Sequence, residues 1–228
     1  MLSEPRTISL ITELIHLPTV HSPEKLREVY NEVCRTCGYE NFYRIQGGAR
    51  IERKDPEGEG FSQLSLVGDR IQLTDDHTGI SVEQFGMKSK AVLSTALPAL
   101  GIPVIILQQT TVRVIAMPNS FKTAAEFLAR SVFKIRPEDL EPLRRPVNVF
   151  GFRLLFPPTV DQPQNYNVRV ECYVRDGKSL YIENVGTFKT PIQPATVDQV
   201  EKNLQMTSDF LVEGVVKFLS VFDRRESE

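Results

Sequence analysis

The amino-acid sequence predicts an α+β fold: a mainly antiparallel, twisted sheet with helices on one face and a long C-terminal helix lying across it. Three observations predict this fold. The stretch Gly101–Pro118 is rich in β-branched and aliphatic residues, as interior strands are. Two segments with turn residues at Gly68 and Gly177 have the alternating pattern of β-hairpins. The segment that follows Thr196 carries a broad apolar stripe at helical spacing.

The stretch Gly101–Pro118 is the element around which the predicted sheet is organised. Both of its alternating sets of side chains are apolar toward the two ends. This pattern predicts a strand that is buried on both faces and therefore lies in the middle of the sheet. Only the centre of the strand is polar, and it holds Gln108, Gln109, Thr110, Thr111 and Arg113.

The first helix is the most clearly delimited element of the sequence. It follows a strand predicted over Thr7–Leu17. Ser22 is a favourable N-cap, and Pro23 stands at the first helical position, where its missing N–H costs nothing. Gly38 is typical of the left-handed residue that ends a helix. We therefore expect the helix to lie between Ser22 and Gly38.

The register of the first hairpin follows from its turn. A strand predicted over Asn41–Lys54 is interrupted at Gly47 and Gly48, which indicates a bulge or turn. The next turn, at Gly68 and Asp69, suits a two-residue connection. That turn gives the hairpin one apolar and one polar face, so turn and pattern agree. The predicted pairs are Leu66 with Ile71, Leu64 with Leu73 and Ser65 with Gln72.

Capping residues predict a helix on each side of the central strand. Ser81, with a glutamine three residues later, forms a capping box for a helix within Val82–Leu97. Pro98 is expected to end that helix. Asn119 or Ser120 is expected to cap a short helix after the central strand.

The second half of the chain predicts a strand, a hairpin and the long helix. Val147–Phe156 is apolar in both alternating sets. A three-residue loop ending at Gly177, with this glycine left-handed at a β-bulge, joins the two strands of the hairpin. Thr196, with a glutamine three residues later, is expected to cap the long helix, and the polar residues 223–228 are expected to fray. The predicted hairpin pairs are Val170 with Ile182, Cys172 with Leu180 and Arg169 with Glu183.

These elements group into two loosely similar halves. An N-terminal α+β half covers residues 1–133, and a strand-hairpin-helix half covers residues 147–228. The connection between them, 134–146, is rich in charge and proline. One continuous domain is the alternative, and we find no self-similarity strong enough to indicate a sequence repeat.

Composition restricts the classes of function. The 228 residues are 41% hydrophobic and 25% charged, as in ordinary globular proteins. The net charge of −2 argues against nucleic acid as a partner. No apolar run reaches the roughly 18–20 residues of a membrane span, so no membrane partner is expected. An odd number of cysteines, three, and an N-terminus unlike a signal peptide predict a cytoplasmic location.

Two short motifs carry reactive side chains without the context that their chemistry needs. Cys34 and Cys37 form a CxxC at the C-terminal end of a helix, where the dipole raises the pKa of a thiol. No second cysteine pair completes a zinc site. Asp75, Asp76 and His77 are consecutive, and neighbours on an extended chain point to alternate faces. We predict no catalytic residue, no metal site and no cofactor, and leave open what these five residues do.

Arg113 is the most informative single charge, because a buried arginine needs a partner. One interpretation places it at a solvated edge or against a structural acid. The other places it in a cavity, where Gln108, Gln109 and Thr111 would be further ligand-binding residues for a small apolar or anionic molecule.

The order of elements in the C-terminal half resembles a sporadically distributed family of uncharacterised bacterial proteins of about this size. The segments that carry the resemblance are RVIAMPN, AAEFLARSVFKI, a charged connection with prolines, NVFGFRLLFP and a helix that ends EGVVKFL. The second hairpin departs from it, with no shared polar motif, so the resemblance transfers no functional residue. The resemblance implies no assigned activity and favours a non-enzymatic role.

Together these observations favour a non-catalytic cytoplasmic protein that binds another protein or a second copy of itself. Three histidines and an unpaired CxxC do not assemble a nucleophile, a base and an orienting group. The alternative is a small-molecule-binding protein or enzyme with a pocket between the sheet and the C-terminal helix. The direction in which Gln109 and Arg113 point distinguishes the two hypotheses.

Overall fold

Nine strands form one antiparallel sheet in the computed structural model, which describes residues 1–223. Across the sheet the strands follow the order 2-3-4-5-1-6-9-8-7, numbered along the chain. Their bounds are β1 (Arg6–His16), β2 (Asn41–Ile45), β3 (Gly48–Lys54), β4 (Phe61–Val67), β5 (Arg70–Asp76), β6 (Ile105–Ala116), β7 (Gly151–Phe156), β8 (Asn165–Cys172) and β9 (Leu180–Phe188).

The helices pack on one face of this sheet, as predicted. A π-helical segment, Phe127–Val132, continues α3, and another, Phe210–Val216, joins α5 to α6 into the long C-terminal helix. The α+β class, the antiparallel sheet and the long last helix are therefore confirmed. The helices are α1 (Pro23–Cys37), α2 (Val82–Leu100), α3 (Ala124–Glu126), α4 (Pro137–Leu140), α5 (Asp198–Asp209) and α6 (Lys217–Ser220).

The main core lies between the sheet and α1, α2 and α5. The alternate side chains of each strand that face the helices are almost completely buried. Burial of aliphatic side chains such as these is the dominant favourable term in folding. Examples from four strands and two helices are Leu14, Ile51, Leu64, Leu73, Val29 and Leu93.

The strand β6 occupies the interior of the sheet, between β1 and β9. Val112 and Val114 face the helices and are buried. The expectation that both faces of this strand are buried is wrong for its centre, because Gln109, Thr111 and Arg113 lie on the other face and are half-buried. No helix formed by residues 1–223 covers that face.

Both hairpin registers are confirmed. Leu64 pairs with Leu73, and Val170 pairs with Ile182, each as the turn residues predict. The connection in the second hairpin is longer than the predicted three residues, since β8 ends at residue 172 and β9 begins at 180. Gly177 is nevertheless left-handed, with φ +63°. The alternation of apolar side chains therefore predicted the register correctly, although the predicted loop length was too short.

The starts of α1 and α2 agree with the predicted caps. The Ser22 hydroxyl accepts a hydrogen bond from the backbone of Lys25, and Ser81 and Gln84 form a reciprocal capping box. The prediction that Pro98 ends α2 is wrong, because the helix continues to Leu100 before a left-handed Gly101. Pro98 lies in the last turn, where the missing N–H removes one terminal bond instead of interrupting the helix.

Two predicted helix starts are displaced. Thr123 caps α3, and α5 begins at Asp198 after a short turn that contains Thr196. Asn119 and Ser120 are not caps, since their backbone N–H groups donate to the carboxylate of Asp223, both at 2.9 Å.

Asp223, which follows the C-terminal helix, binds the loop after β6. Its side chain is buried, which alone would raise its pKa, but the N–H groups of Asn119 and Ser120 outweigh this and lower the pKa. Apart from Asp223, the residues that were expected to fray lie outside the described range.

The topology repeats along the chain. The first unit is β1, α1, the strands β2 to β5, and α2; the second is β6, α3, the strands β7 to β9, and α5. The two units meet where β1 pairs with β6 along the middle of the sheet. The chain passes from one unit to the other at residues 101–104, whereas 134–146 forms part of the connection between α3 and β7. The expected strand over Val147–Phe156 is shorter than predicted, since β7 starts at Gly151.

Candidate functional site

The four predicted ligand-binding residues divide between the two faces of β6. Gln108 faces the C-terminal helix and is completely buried. Gln109, Thr111 and Arg113 lie on the opposite face, because successive side chains of a strand alternate. The structure therefore brings three of the four together and separates Gln108 from them.

Gln108 belongs to a buried hydrogen-bond network that joins two strands to α5. Its Nε2 lies 3.1 Å from Thr12 Oγ1, 3.1 Å from Thr110 Oγ1 and 3.2 Å from the carbonyl oxygen of Val200. Its Oε1 accepts a 2.7 Å hydrogen bond from Asn203 Nδ2. Both ends of the amide are used inside the protein, so it is not oriented toward a ligand.

The contact between the sheet and the C-terminal helix is closely packed. Asn184 on β9 donates to the carbonyl oxygen of Thr207, and the hydroxyl of Thr207 donates to the carbonyl oxygen of Asn203. At Gly186, an added Cβ would come within 2.4 Å of the Thr207 hydroxyl. At these contacts, side chains fill the space between the sheet and the helix.

Arg113 is paired with a structural acid, as one of its two sequence interpretations requires. Its Nε lies 2.7 Å from Glu183 Oε2, and Arg169 Nε lies 3.4 Å from the other oxygen of Glu183. The hydroxyl of Tyr181 also donates to Glu183, at 2.8 Å. Burial, together with the negative charge of Glu183, raises the pKa of Tyr181 to about 12, so this hydroxyl stays a donor at neutral pH.

No helix of residues 1–223 packs on the face that carries these residues, and we call it the open face. At its centre, Thr111 lies opposite Ile11 on β1 and Val185 on β9. Neutral hydrogen-bonding side chains occur on five strands of this face. They are Gln63, Ser65, Gln72, Thr74, Gln109, Thr111, Thr187, Asn165 and Asn167.

Many charges on the open face are paired with one another. Glu13 binds Arg70 at 2.7 Å, and Glu52 lies between Arg50 and Lys54 at 3.3 and 3.6 Å. Together with the cluster around Glu183, these pairs leave a surface of mixed charge without a dominant sign.

The CxxC lies at the C-terminal end of α1, as the sequence predicted. Cys34 and Cys37 lie in the last turn of α1 and are free thiols. Burial raises the pKa of Cys34, and the hydrogen bond with Tyr30 opposes this only in part. A raised pKa keeps the thiol protonated and unreactive.

The three residues Asp75, Asp76 and His77 do not converge. Asp75 is buried on the helix side, where Ser62 donates to it and Lys88 lies 2.9 Å away. Asp76 is on the opposite side of β5, and His77 turns the chain with φ +51°. In residues 1–223, no three side chains among histidine, cysteine, aspartate and glutamate could share a metal ion.

Two features of the site were missed at the level of sequence. The Lys88–Asp75 ion pair joins α2 to β5, and neither residue stands out without knowing that they are neighbours. The open face was missed as a surface, although the alternation of Ser65 and Gln72 with buried leucines signalled one polar side of the hairpin.

Within the described range, no helix combines the length and apolar character that crossing a membrane requires. Comparisons with protein-family models and with curated proteins found no match to this chain. The resemblance of the C-terminal half to a family of uncharacterised bacterial proteins therefore stays a prediction.

Proposed function

We propose that this chain is a non-catalytic interaction protein whose open face binds the surface of a protein partner. The observation that carries the proposal is that a nine-stranded sheet has its helices on one side and no helix of residues 1–223 on the other. Extended, partly apolar faces of this kind are typical of interaction sites.

The dimensions of the open face fit a protein better than a small molecule. Nine strands at about 4.8 Å spacing and about seven residues at 3.3 Å give roughly 40 by 23 Å, or about 900 Å². A standard protein interface buries about 800 Å² on each partner. A small molecule instead needs a concave site that encloses most of its surface.

The chemistry of the open face supports the same partner class. Its centre combines amides and hydroxyls with the half-buried aliphatic side chains of Ile11, Ile15 and Val185. Many of its charges pair within the face, so it lacks the basic excess that phosphate backbones require. A partner with a mixed polar and aliphatic surface is the best complement.

We further propose that the protein acts in a reducing compartment such as the cytoplasm. All three cysteines are free thiols, and none forms a disulfide within the described residues. Free thiols are typical of proteins kept under reducing conditions.

The proposal is tested by photo-crosslinking from the open face. A photoreactive amino acid replaces Gln109 on the open face or, as the matched control, Gln205 on the exposed side of α5. The protein is irradiated in the cells that make it, and the protein crosslinked at position 109 is purified. Binding of that protein is then measured for Gln109→Lys and Gln205→Lys.

We expect a discrete adduct from position 109 and none from position 205. Gln109→Lys should weaken binding of the purified partner by at least about tenfold, since a buried unpaired charge is costly at an interface. Gln205→Lys should leave the affinity unchanged. No adduct at position 109, or equal affinities of the two variants, would overturn the proposal.

A further inference from the structure

The second topological unit has one strand fewer than the first. In order outward from the centre, β5, β4 and β3 of the first unit correspond to β9, β8 and β7 of the second. In the first unit β2 then pairs with β3 at the outer edge. In the second unit the chain before β7 forms α4 and a short turn instead, and no strand of residues 1–223 lies beside β7.

The outer edge of β7 presents unpaired backbone groups. The carbonyl oxygen of Phe150 accepts a hydrogen bond from the N–H of Cys172, and Phe152 is opposite Val170 in the same register. Because antiparallel partners alternate, the even-numbered residues of β7 bond to β8. The N–H and C=O groups of Gly151, Arg153 and Leu155 therefore point away from the sheet.

This edge lacks most of the features that usually protect edge strands. Between Gly151 and Phe156 there is no lysine, no proline and no β-bulge. The one charge, Arg153, leans back over the sheet, where its Nε donates to Asn167 on β8. Leu155 is 68% exposed, although aliphatic side chains on a protected edge are normally covered.

We propose that β7 pairs in antiparallel fashion with β7 of a second copy of this chain, and that this contact joins the two sheets into one. A two-fold axis at Leu154 places Leu154 opposite its counterpart and Phe152 opposite Phe156 on the helix side. Cross-strand aromatic and aliphatic pairs of this kind stabilise a sheet. On the other side Arg153 lies opposite Leu155, and these two residues exchange both of their backbone hydrogen bonds.

The neighbouring registers are less favourable. An axis at Arg153 places two guanidinium groups directly opposite each other, and like charges in that position are destabilising. An axis at Leu155 places Pro157 opposite Arg153, so that the carbonyl oxygen of Arg153 loses its donor. The axis at Leu154 keeps the guanidinium groups apart and moves Pro157 opposite Gly151, so the missing N–H falls at the last pair of the ladder and not inside it. The contact lies at the edge of the sheet and is independent of the open face.

Charge substitutions at Leu155 test the pairing without disturbing the core. Leu155→Lys sets a positive charge opposite Arg153 of the other copy, twice in the dimer, whereas Leu155→Glu sets opposite charges together. Leu17, which is 60% exposed at the end of β1, provides the matched control Leu17→Lys. Sedimentation equilibrium over a range of concentrations measures the dimer Kd of each protein, and circular dichroism checks that each is folded.

We expect the unmodified chain to dimerise, Leu155→Lys to raise the Kd at least about tenfold, and Leu155→Glu to lower it. Leu17→Lys should not change it. A chain that stays monomeric up to about millimolar concentration overturns the proposal. A dimer that responds equally to Leu155→Lys and to Leu17→Lys also overturns it, because the contact then lies elsewhere.

A disulfide reports the register directly. In a chain whose three native cysteines are replaced, Leu154→Cys should crosslink across the axis, where directly opposite residues have Cα atoms about 4.5 Å apart. Leu155→Cys, displaced from its counterpart along the strands, should crosslink much less. Equal crosslinking of the two variants, or none from Leu154→Cys, would contradict the proposed pairing.

Discussion

Gln108 and Gln109 are neighbours in the chain with opposite roles in the structure. Gln108 joins Thr12, Thr110 and Asn203 inside the core, whereas Gln109 lies on the open face with a single weak contact to Thr187 at 3.4 Å. The difference arises only from the alternation of side chains along β6.

The two glutamines provide a matched pair of substitutions. Gln108→Leu removes the acceptor of Asn203 Nδ2 and leaves buried polar groups without a partner, so we expect a loss of about 1–3 kcal/mol in the free energy of unfolding. Gln109→Leu leaves no buried group unpaired and should change stability by less than about 0.5 kcal/mol. Urea unfolding measures both. Equal losses in the two variants would show that the buried network does not stabilise the protein.

At the scale of single residues, the sequence showed which residues of β6 are polar but not which face of the sheet each side chain occupies. The polar centre of β6 was recognisable as unusual for an interior strand. Which of Gln108 and Gln109 faces the helices depends on the register of β6 against β1, which no turn residue specifies. The pairing of Arg113 with Glu183 was equally hidden, since 70 residues separate them in the chain.

At the scale of elements, the close approach of the C-terminal helix to β9 depends on a glycine. At Gly186 a Cβ would lie 2.4 Å from the Thr207 hydroxyl and 3.0 Å from a ring carbon of Phe188. Thr207 is β-branched, and its hydroxyl donates a hydrogen bond to the carbonyl oxygen of Asn203. Rotation of this side chain away from Gly186 therefore costs free energy.

A pair of glycine-to-alanine substitutions tests this contact. Gly186→Ala should destabilise the protein by about 1–3 kcal/mol, because the helix must move or Thr207 must leave its hydrogen bond. Gly214→Ala, in the same helix with no atom within 4 Å of the new Cβ, should stabilise it by about 0.5–1 kcal/mol. Thermal unfolding compares the two variants. If Gly186→Ala left the stability unchanged, the C-terminal helix would not be held at its observed distance from β9.

Elements were predictable where local chemistry decides them, and less so where packing does. The caps at Ser22 and Ser81 and the registers of two hairpins follow from short-range rules, and all four are confirmed. The start of α3 was displaced because Asn119 and Ser120 bind Asp223, a contact between distant parts of the chain. The start of α5 was displaced because Thr196 belongs to a short turn before the helix. The π-helical segments likewise have no local signal that we recognised.

At the scale of the whole molecule, one sheet runs through both topological units. β1 of the first unit pairs with β6 of the second, from Arg6 opposite Ile115 to His16 opposite Ile105. α5 packs on α2 as well as on the sheet. The sequence analysis placed the connection between two similar halves at 134–146, whereas the order of elements starts again after 101–104, because the repeat is one of topology and not of residues.

This continuity predicts what a cut in the exposed connection does. A specific protease site is inserted between Arg144 and Arg145, both of which are exposed, and the purified protein is cleaved there. Cutting leaves β6 on one fragment and β7 to β9 with α5 on the other, and exposed loops tolerate such cuts. The pairing of β6 with β9 and the Gln108 network should hold the fragments together.

We expect the cleaved protein to elute from size exclusion at the position of the uncleaved chain, and to separate into two fragments only in denaturant. Unfolding before the cut should be a single transition, since one core serves both units. If residues 145–228 instead formed a separate domain joined by a linker, the fragments would elute apart without denaturant. Domain interfaces within a chain are otherwise small and polar, unlike a shared row of strand hydrogen bonds. Co-elution of the fragments would therefore place the boundary of the folding unit outside 134–146.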